Sequence, residues 1–518
     1  MHSGRLCASG SQGRDEAMSR ESGGSAPAGV ESSWSGSYVH NMALIRKSME
    51  TNADIKLRAF TISHGREACL AYVDGLADLK AIDMLLLSKL GDPTSDEGSI
   101  ENVELAVRRT LPSIIGAAWS DDYALILNRI RSGSTALLMD GLSQALLLET
   151  VKDQTRSLEE PISEAVLRGP RIGFCESLQL NTALLRSAGE APNMAMEKMT
   201  VGREIRKEVM IVYMTDIVRA GLVEEVKKRI AAIDIDHLPE SGYVEQLVED
   251  NFLSPFQQIQ NTERPDRVIA GILEGRVGIL LDGTPFALLA PATFSMLIQS
   301  PEDYYDRWLP GSLIRLLRFA SVVICLLTPA LYIAFTSFHP GLIPTKLALS
   351  IIGARQGVPF PSLIETLIME VSIEILREAG LRLPKPIGPA MGIVGGLIIG
   401  DAAVQAGIVS PILVIVVAIT AISSFVIPQY SAGITLRILR FAAMICAATF
   451  GLYGVVLFIL LLLAHLARLE SFGVPYLSPL VPYRPRDWKD LLLRLPLPLL
   501  RKRPSFLSPQ NEFREDNG

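Results

Sequence analysis

Residues Phe319–Phe338 read FASVVICLLTPALYIAFTSF, twenty residues without a charge, and this run decides the architecture. At about 1.5 Å per helical residue it spans the ~30 Å hydrocarbon core of a bilayer. Arg315 and Arg318 stand just before it, as basic residues do on a cytoplasmic entry side. Further apolar segments follow at 387–407 and 409–428, divided by Ser410-Pro411, and at Phe441–Leu463, led in by Arg437 and Arg440. The expectation is an all-α polytopic membrane domain over 312–467.

Between these runs lies FPSLIETLIMEVSIEILREAGL, Phe360–Leu381, in which four glutamates interrupt an apolar helix. At about 100° per residue, Leu363, Leu367, Glu370, Glu374 and Glu378 form one stripe, beside an apolar face of Ile364, Ile368, Val371 and Ile375. A carboxylate facing lipid costs about 3 kcal/mol or more, so the stripe should face protein or water. Repeated around a symmetric axis it would give a constriction at Leu363 and Leu367 and rings of carboxylate, a cation-pore arrangement. The alternative is an interfacial helix whose acids pair with Arg377, Arg382 and Lys385. Gly388, Gly392, Gly396 and Gly400 recur at four-residue spacing and mark a helix-packing ridge. Asp401, directly after it, is either a buried functional carboxylate or a wetted residue at a bend.

Upstream the pattern changes. Ala136–Met139 before Asp140-Gly141 and Val209–Met214 are short buried strands, the latter followed by a helix over Ile217–Lys228. Val277–Asp282 and Phe286–Ala290, joined through Asp282-Gly283, read as a hairpin. Pro285 and Pro291 bracket its second strand and suggest a sheet edge. An α/β region of two subdomains, 41–160 and 161–311, is expected, with a ligand cleft between them. Residues 1–40 read as a Ser/Gly-rich leader, expected to be disordered and without an apolar signal segment, so the α/β region should stay cytosolic.

The whole chain of 518 residues is 49% hydrophobic and 20% charged with a net charge of −6, and its mean hydropathy is +0.30. That argues against a purely cytosolic enzyme, and the lack of a broad basic domain argues against nucleic acid as a partner. Five scattered cysteines form no CxxC pair, and no GxxxxGK[ST], HExxH or GxSxG occurs. Neither catalysis nor a metal or cofactor is expected. The tail, 468–518, is basic, which places it in the cytosol with the N-terminal region. Both ends on one side require an even number of crossings. Four full spans plus one partial or interfacial segment satisfy this, and leave Arg437 and Arg440 outside.

Several long strings resemble the A-subunit (GerA) family of spore-germination receptors from endospore-forming bacteria. They are GPRIGFCESLQLNTALLR from Gly169, SGYVEQLVED from Ser241, NTERPDRV from Asn261, EGRVGILLDGTPFALLAPATF from Glu274, SPEDYYDRW from Ser300, and PFPSLIETLIMEVSIEILREAGLRLPKPIGPAMGIVGGLIIGDAAVQAGIVSP from Pro359. The resemblance covers Met42 to Val481; Asp401 stands where relatives often carry a neutral residue. It implies two cytosolic α/β subdomains facing the spore core, then a helical domain in the spore inner membrane. It also implies a permease-like B subunit and a lipoprotein C subunit as partners, and a homo-oligomeric ring, with five copies expected, that forms a nutrient-gated ion channel surrounded by membrane lipid. The competing readings are a SpoVAF-like stage V sporulation paralogue accompanying dipicolinate release, a proton-coupled transporter and a docking scaffold.

Overall fold

The computed structural model describes residues 34–35, 37–62, 66–78, 80, 82, 117–151, 160–161, 163–382 and 400–515. Its first part holds two five-stranded antiparallel sheets. Helix α1 (Tyr38–Met49) precedes β1 (Ile55–Ile62), β2 (Arg66–Val73) and β3 (Ala117–Ser120); α2 (Tyr123–Arg131) leads to β4 (Thr135–Met139) and β5 (Ala145–Leu148). The sheet order is β1-β2-β4-β5-β3. Asp122 starts α2 by accepting hydrogen bonds from the backbone N–H groups of Ala124 and Leu125.

The second half repeats the scheme. After α3 (Leu178–Ser187) come β6 (Met194–Val201), β7 (Lys207–Met214), α4 (Leu222–Ala231), α5 (Ser241–Val248) and β8 (Gln260–Thr262). Then α6 (Pro265–Glu274) leads to β9 (Val277–Leu281) and β10 (Ala287–Ala290), with strand order β6-β7-β9-β10-β8. Every residue of β9 and β10 is buried, because helices cover both faces. Ile279 and Leu281 pack with Val226, Ile230 and Val244 of α4 and α5. Leu280 and Leu289 pack with Leu185, Val268 and Ile272 of α3 and α6. Successive side chains therefore feed opposite cores.

Two expectations change here. The β10 strand is not an edge: β8 pairs with it, and Pro285 and Pro291 lie just outside the ladder, where they remove no donor. Also, α4 begins at Leu222, after a turn around Gly221 at φ +83°. The junction expected to hold a ligand cleft is bridged by buried charge. Arg186 Nε lies 2.8 Å from Asp54 Oδ2 and its Nη2 donates to Asp54 Oδ1 at 3.0 Å and to Asn52 at 2.9 Å. That pair ties the end of α3 to the entry of β1.

The second part is helical. Helix α7 (Trp308–Ser337) starts ahead of its apolar run, and α8 (Thr345–Arg355), α9 (Ser362–Arg382), α10 (Pro411–Phe425), α11 (Tyr430–Phe450) and α12 (Leu452–Arg468) follow. Among the described residues, α7 and α11 are long and apolar enough to cross a membrane, while α10 and α12 are apolar but shorter. The expected single span over Phe441–Leu463 is instead the corner between α11 and α12. Gly451 makes the break at φ +58°, and a Cβ there would sit 2.9 Å from Phe338. Arg315 and Arg318, read as flanks, are buried in α7 and both bind Asp303, at 2.9 and 2.5 Å. The basic tail folds back onto the second sheet: Phe506 and Leu507 are buried with Val474, and Gln510 donates to the Val218 carbonyl at 2.7 Å.

Candidate functional site

Helix α9 turns Ser362, Glu365, Thr366, Met369 and Glu370 into the bundle and leaves Ile364, Ile368, Val371 and Ile375 exposed. The stripe read from the sequence lies on the shoulder between these faces, and the structure divides it. Glu370 is on the inner side, Leu363, Leu367 and Glu374 are half-buried, and Glu378 is exposed and paired with Arg382 at 2.6 Å.

The inner carboxylates find their counter-charge within the same chain. Arg440 Nη2, on α11, lies 2.8 Å from Glu370 Oε2 and 3.2 Å from Glu374 Oε1. Arg377 approaches Glu374 at 3.2 Å and Arg437 does so at 3.6 Å. Arg377 also donates to Ser424 at 2.8 Å and stacks over the Phe425 ring at 4.6 Å. Three guanidiniums thus surround two carboxylates, in a bundle whose apolar core includes Val417, Leu436 and Met444. Glu370 Oε1 is buried and has no hydrogen-bond partner among the described residues, so one lone-pair edge of this carboxylate is unsatisfied.

A second buried carboxylate sits one turn earlier. Glu365 Oε1 accepts from the backbone N–H of Ser410 at 2.9 Å and from its hydroxyl at 2.7 Å, with Tyr332 OH at 3.4 Å and Arg355 Nε 3.4 Å from the other oxygen. Ser410 is the N-cap of α10 and Pro411 its first residue, so Glu365 faces the positive end of that helix.

Residues 43–506 match the family described as "Bacillus/Clostridium GerA spore germination protein". The chain belongs to the GerA family. It is 44% identical to spore germination protein B1 of Bacillus subtilis (strain 168) over 479 residues, 92% of this chain and 98% of that one. It is 40% identical to spore germination protein A1 of the same organism over 481 residues, 93% and 98% of the two chains. A membrane protein of that organism, YfkQ, is 42% identical over 473 residues, 91% of each chain. The crystal structure of the N-terminal domain of the A subunit of the Bacillus megaterium spore germinant receptor GerK3 matches 51% of this chain and 98% of its own at 33% identity and TM-score 0.41.

Of the GerA-chain residues singled out from sequence, Glu370 and Glu374 are brought together by Arg440, Leu363 and Leu367 pack half-buried against the bundle core, and Glu378 is exposed. Gly388, Gly392 and Gly396 lie outside the described residues. At Gly400 an added Cβ would meet Val414 at 3.6 Å, ordinary packing distance. Asp401 is exposed and accepts from Gln405 at 2.6 Å. Sequence reasoning assigned Arg437 and Arg440 to the flank of a span; the signal it passed over was two arginines three apart inside a mostly apolar helix, which need acidic partners. Among the described residues no group of three or more His, Cys, Asp or Glu is placed to hold a metal.

Proposed function

We propose that this chain is the A subunit of a nutrient-responsive germinant receptor in the spore inner membrane, with its α/β region in the spore core. Several copies, five in the proposed ring, surround a cation conduit whose opening starts germination, and a permease-like B subunit and a lipoprotein C subunit complete the complex. The observation that carries this reading is a mechanical path along one helix. Gln429, the N-cap of α11, donates to the Asn261 carbonyl of β8 at 3.1 Å, and Thr435 donates to the Pro255 carbonyl at 2.6 Å. Arg440, roughly 16 Å along the same helix, holds Glu370 and Glu374. A shift of the second sheet thereby moves Arg440 relative to α9.

Withdrawing that guanidinium leaves the buried Glu370 without its counter-charge, while Arg377 and Arg437 stay with Glu374, and the stranded Glu370 carboxylate is relieved by water and a cation. Leu363 and Leu367 form the proposed constriction and Glu378 the outer carboxylate. Helix α8 has no buried side chain, and the Ile364/Ile368/Val371/Ile375 face of α9 is exposed; these are the surfaces a neighbouring copy would cover. Single-channel recording of the purified complex in defined salts tests the reading directly. Spores carrying Leu363→Ala or Leu367→Ala should leak potassium or germinate without nutrient. Wild-type behaviour of both, with no conductance from the complex, overturns the conduit and leaves family membership intact.

A further inference from the structure

A cavity of about 290 Å³ lies between the second sheet's α6–β9 corner and the returning C-terminal tail. Seven Lys or Arg line it against three acids, and each acid is already engaged. Asp490 accepts from Arg315 and from Tyr304, both at 2.7 Å; Asp487 accepts from the Ser505 hydroxyl at 2.6 Å. Glu274 is shared by Arg276 at 3.5 Å and Arg514 at 3.3 Å. Among the bases, Arg486 and Lys502 share Glu512 at 3.0 and 3.6 Å and Arg501 lies 3.9 Å from Glu515, so the uncompensated positive charge of the wall is concentrated at Arg276, Arg503 and Lys489.

Arg276 makes the surplus costly. Its side chain is 3% exposed, it donates to the Pro291 carbonyl, and its Nε has no partner among the described residues. A buried guanidinium whose nearest carboxylate is long and shared is under-compensated, and burial pulls its pKa down accordingly. At the rim the exposed Lys489 ammonium makes no hydrogen bond or ion pair among the described residues. Leu491, Leu500 and Phe506, all buried, also line the cavity and give it apolar surface.

We propose that this cavity binds a phosphate group borne on an organic body. A phosphate dianion offers charge and acceptor oxygens to several guanidiniums at once, and the apolar surface receives the remainder of the molecule. Two sources share this chemistry. The tail is tied to the base of α7, where Ser312 donates to the Arg494 carbonyl at 2.9 Å, so an anionic lipid headgroup could reach the site as well as a soluble organophosphate.

The test uses the full chain, in detergent with inorganic phosphate or AMP, and in nanodiscs of phosphatidylglycerol against phosphatidylcholine. Saturable thermal stabilisation by AMP or phosphate assigns a soluble ligand; stabilisation by phosphatidylglycerol over phosphatidylcholine assigns a lipid. The double variant Arg486→Ala/Lys489→Ala, confined to the exposed rim, should weaken the response by roughly tenfold, and Arg276→Gln should remove it. No saturable response to any of these probes, or a response that survives the rim variant unchanged, overturns the proposal, even if Arg276→Gln fails to fold.

Discussion

Arg440 Nη2 and Glu370 Oε2 lie 2.8 Å apart, each side chain 1% exposed, joining two helices of an otherwise apolar bundle. Because both charges are out of water, removing one leaves the other stranded, which is worse than removing both. Arg440→Gln should destabilise the purified protein by about 3–5 kcal/mol, read as thermal unfolding in detergent. Adding Glu370→Gln to it should recover part of the loss. Losses that simply add would show that the two side chains do not interact.

The bidentate Arg186–Asp54 joint is geometric as well as ionic, so charge alone does not replace it. Arg186→Lys should cost about 2–3 kcal/mol, and Arg186→Ala or Asp54→Ala about 3–5 kcal/mol. Proteolysis should then cut between the two sheets before it cuts within them. A wild-type digestion pattern from all three variants would refute the joint's role.

The α11–α12 corner depends on two glycines. A Cβ at Gly454 would lie 1.9 Å from the Cys446 carbonyl oxygen, and one at Gly451 would press on Phe338. Gly454→Ala must push the helices apart at a cost of about 3 kcal/mol, and Gly451→Ala adds backbone strain of about 1–3 kcal/mol. Yield and thermal stability in detergent check this, with alanine at exposed Gly353 as the neutral control.

Burial pushes the Glu245 carboxyl up to about 7, reinforced by the neighbouring Glu249, which burial also raises to about 7. In the unfolded chain a glutamate titrates near ~4.3, so between that value and the folded one the native state holds protons the unfolded state has released. Stability is therefore greatest at the acid end of this window, falls by up to about 1.4 kcal/mol per pH unit for each group as pH rises, and levels off above about 7. Glu245→Gln/Glu249→Gln should flatten that slope in unfolding curves taken from about pH 5 to 8. An unchanged slope would assign the pH dependence to other groups.

Legibility from sequence followed the range of the interactions. The β9–β10 hairpin was readable because Asp282-Gly283 carries its turn locally, and β4 and β7 because buried central strands are continuous apolar runs. The acidic stripe was readable as a period. Its local partners were readable too, Arg377 on Glu374 and Arg382 on Glu378, but its distant ones were not, since Arg440 reaches Glu374 across 66 positions and no local pattern records that contact. The α11–α12 corner was hidden for the opposite reason: an unbroken apolar run carries no mark of a bend except its two glycines, Gly451 and Gly454. The Arg186–Asp54 joint, 132 positions apart, turned an expected cleft into a filled seam.

The two sheets share a strand order but differ in their attachments. Among the described residues the later unit is bound to the helices through Asn261, Pro255 and the returning tail, whereas the earlier one meets its sibling at Arg186 and Asp54, at the backbone of Ala53 and Met196 and where Arg131 reaches Pro192. A displacement of the earlier unit is therefore handed to the helices by way of the later one, which makes the inner unit a relay and the outer unit a lever.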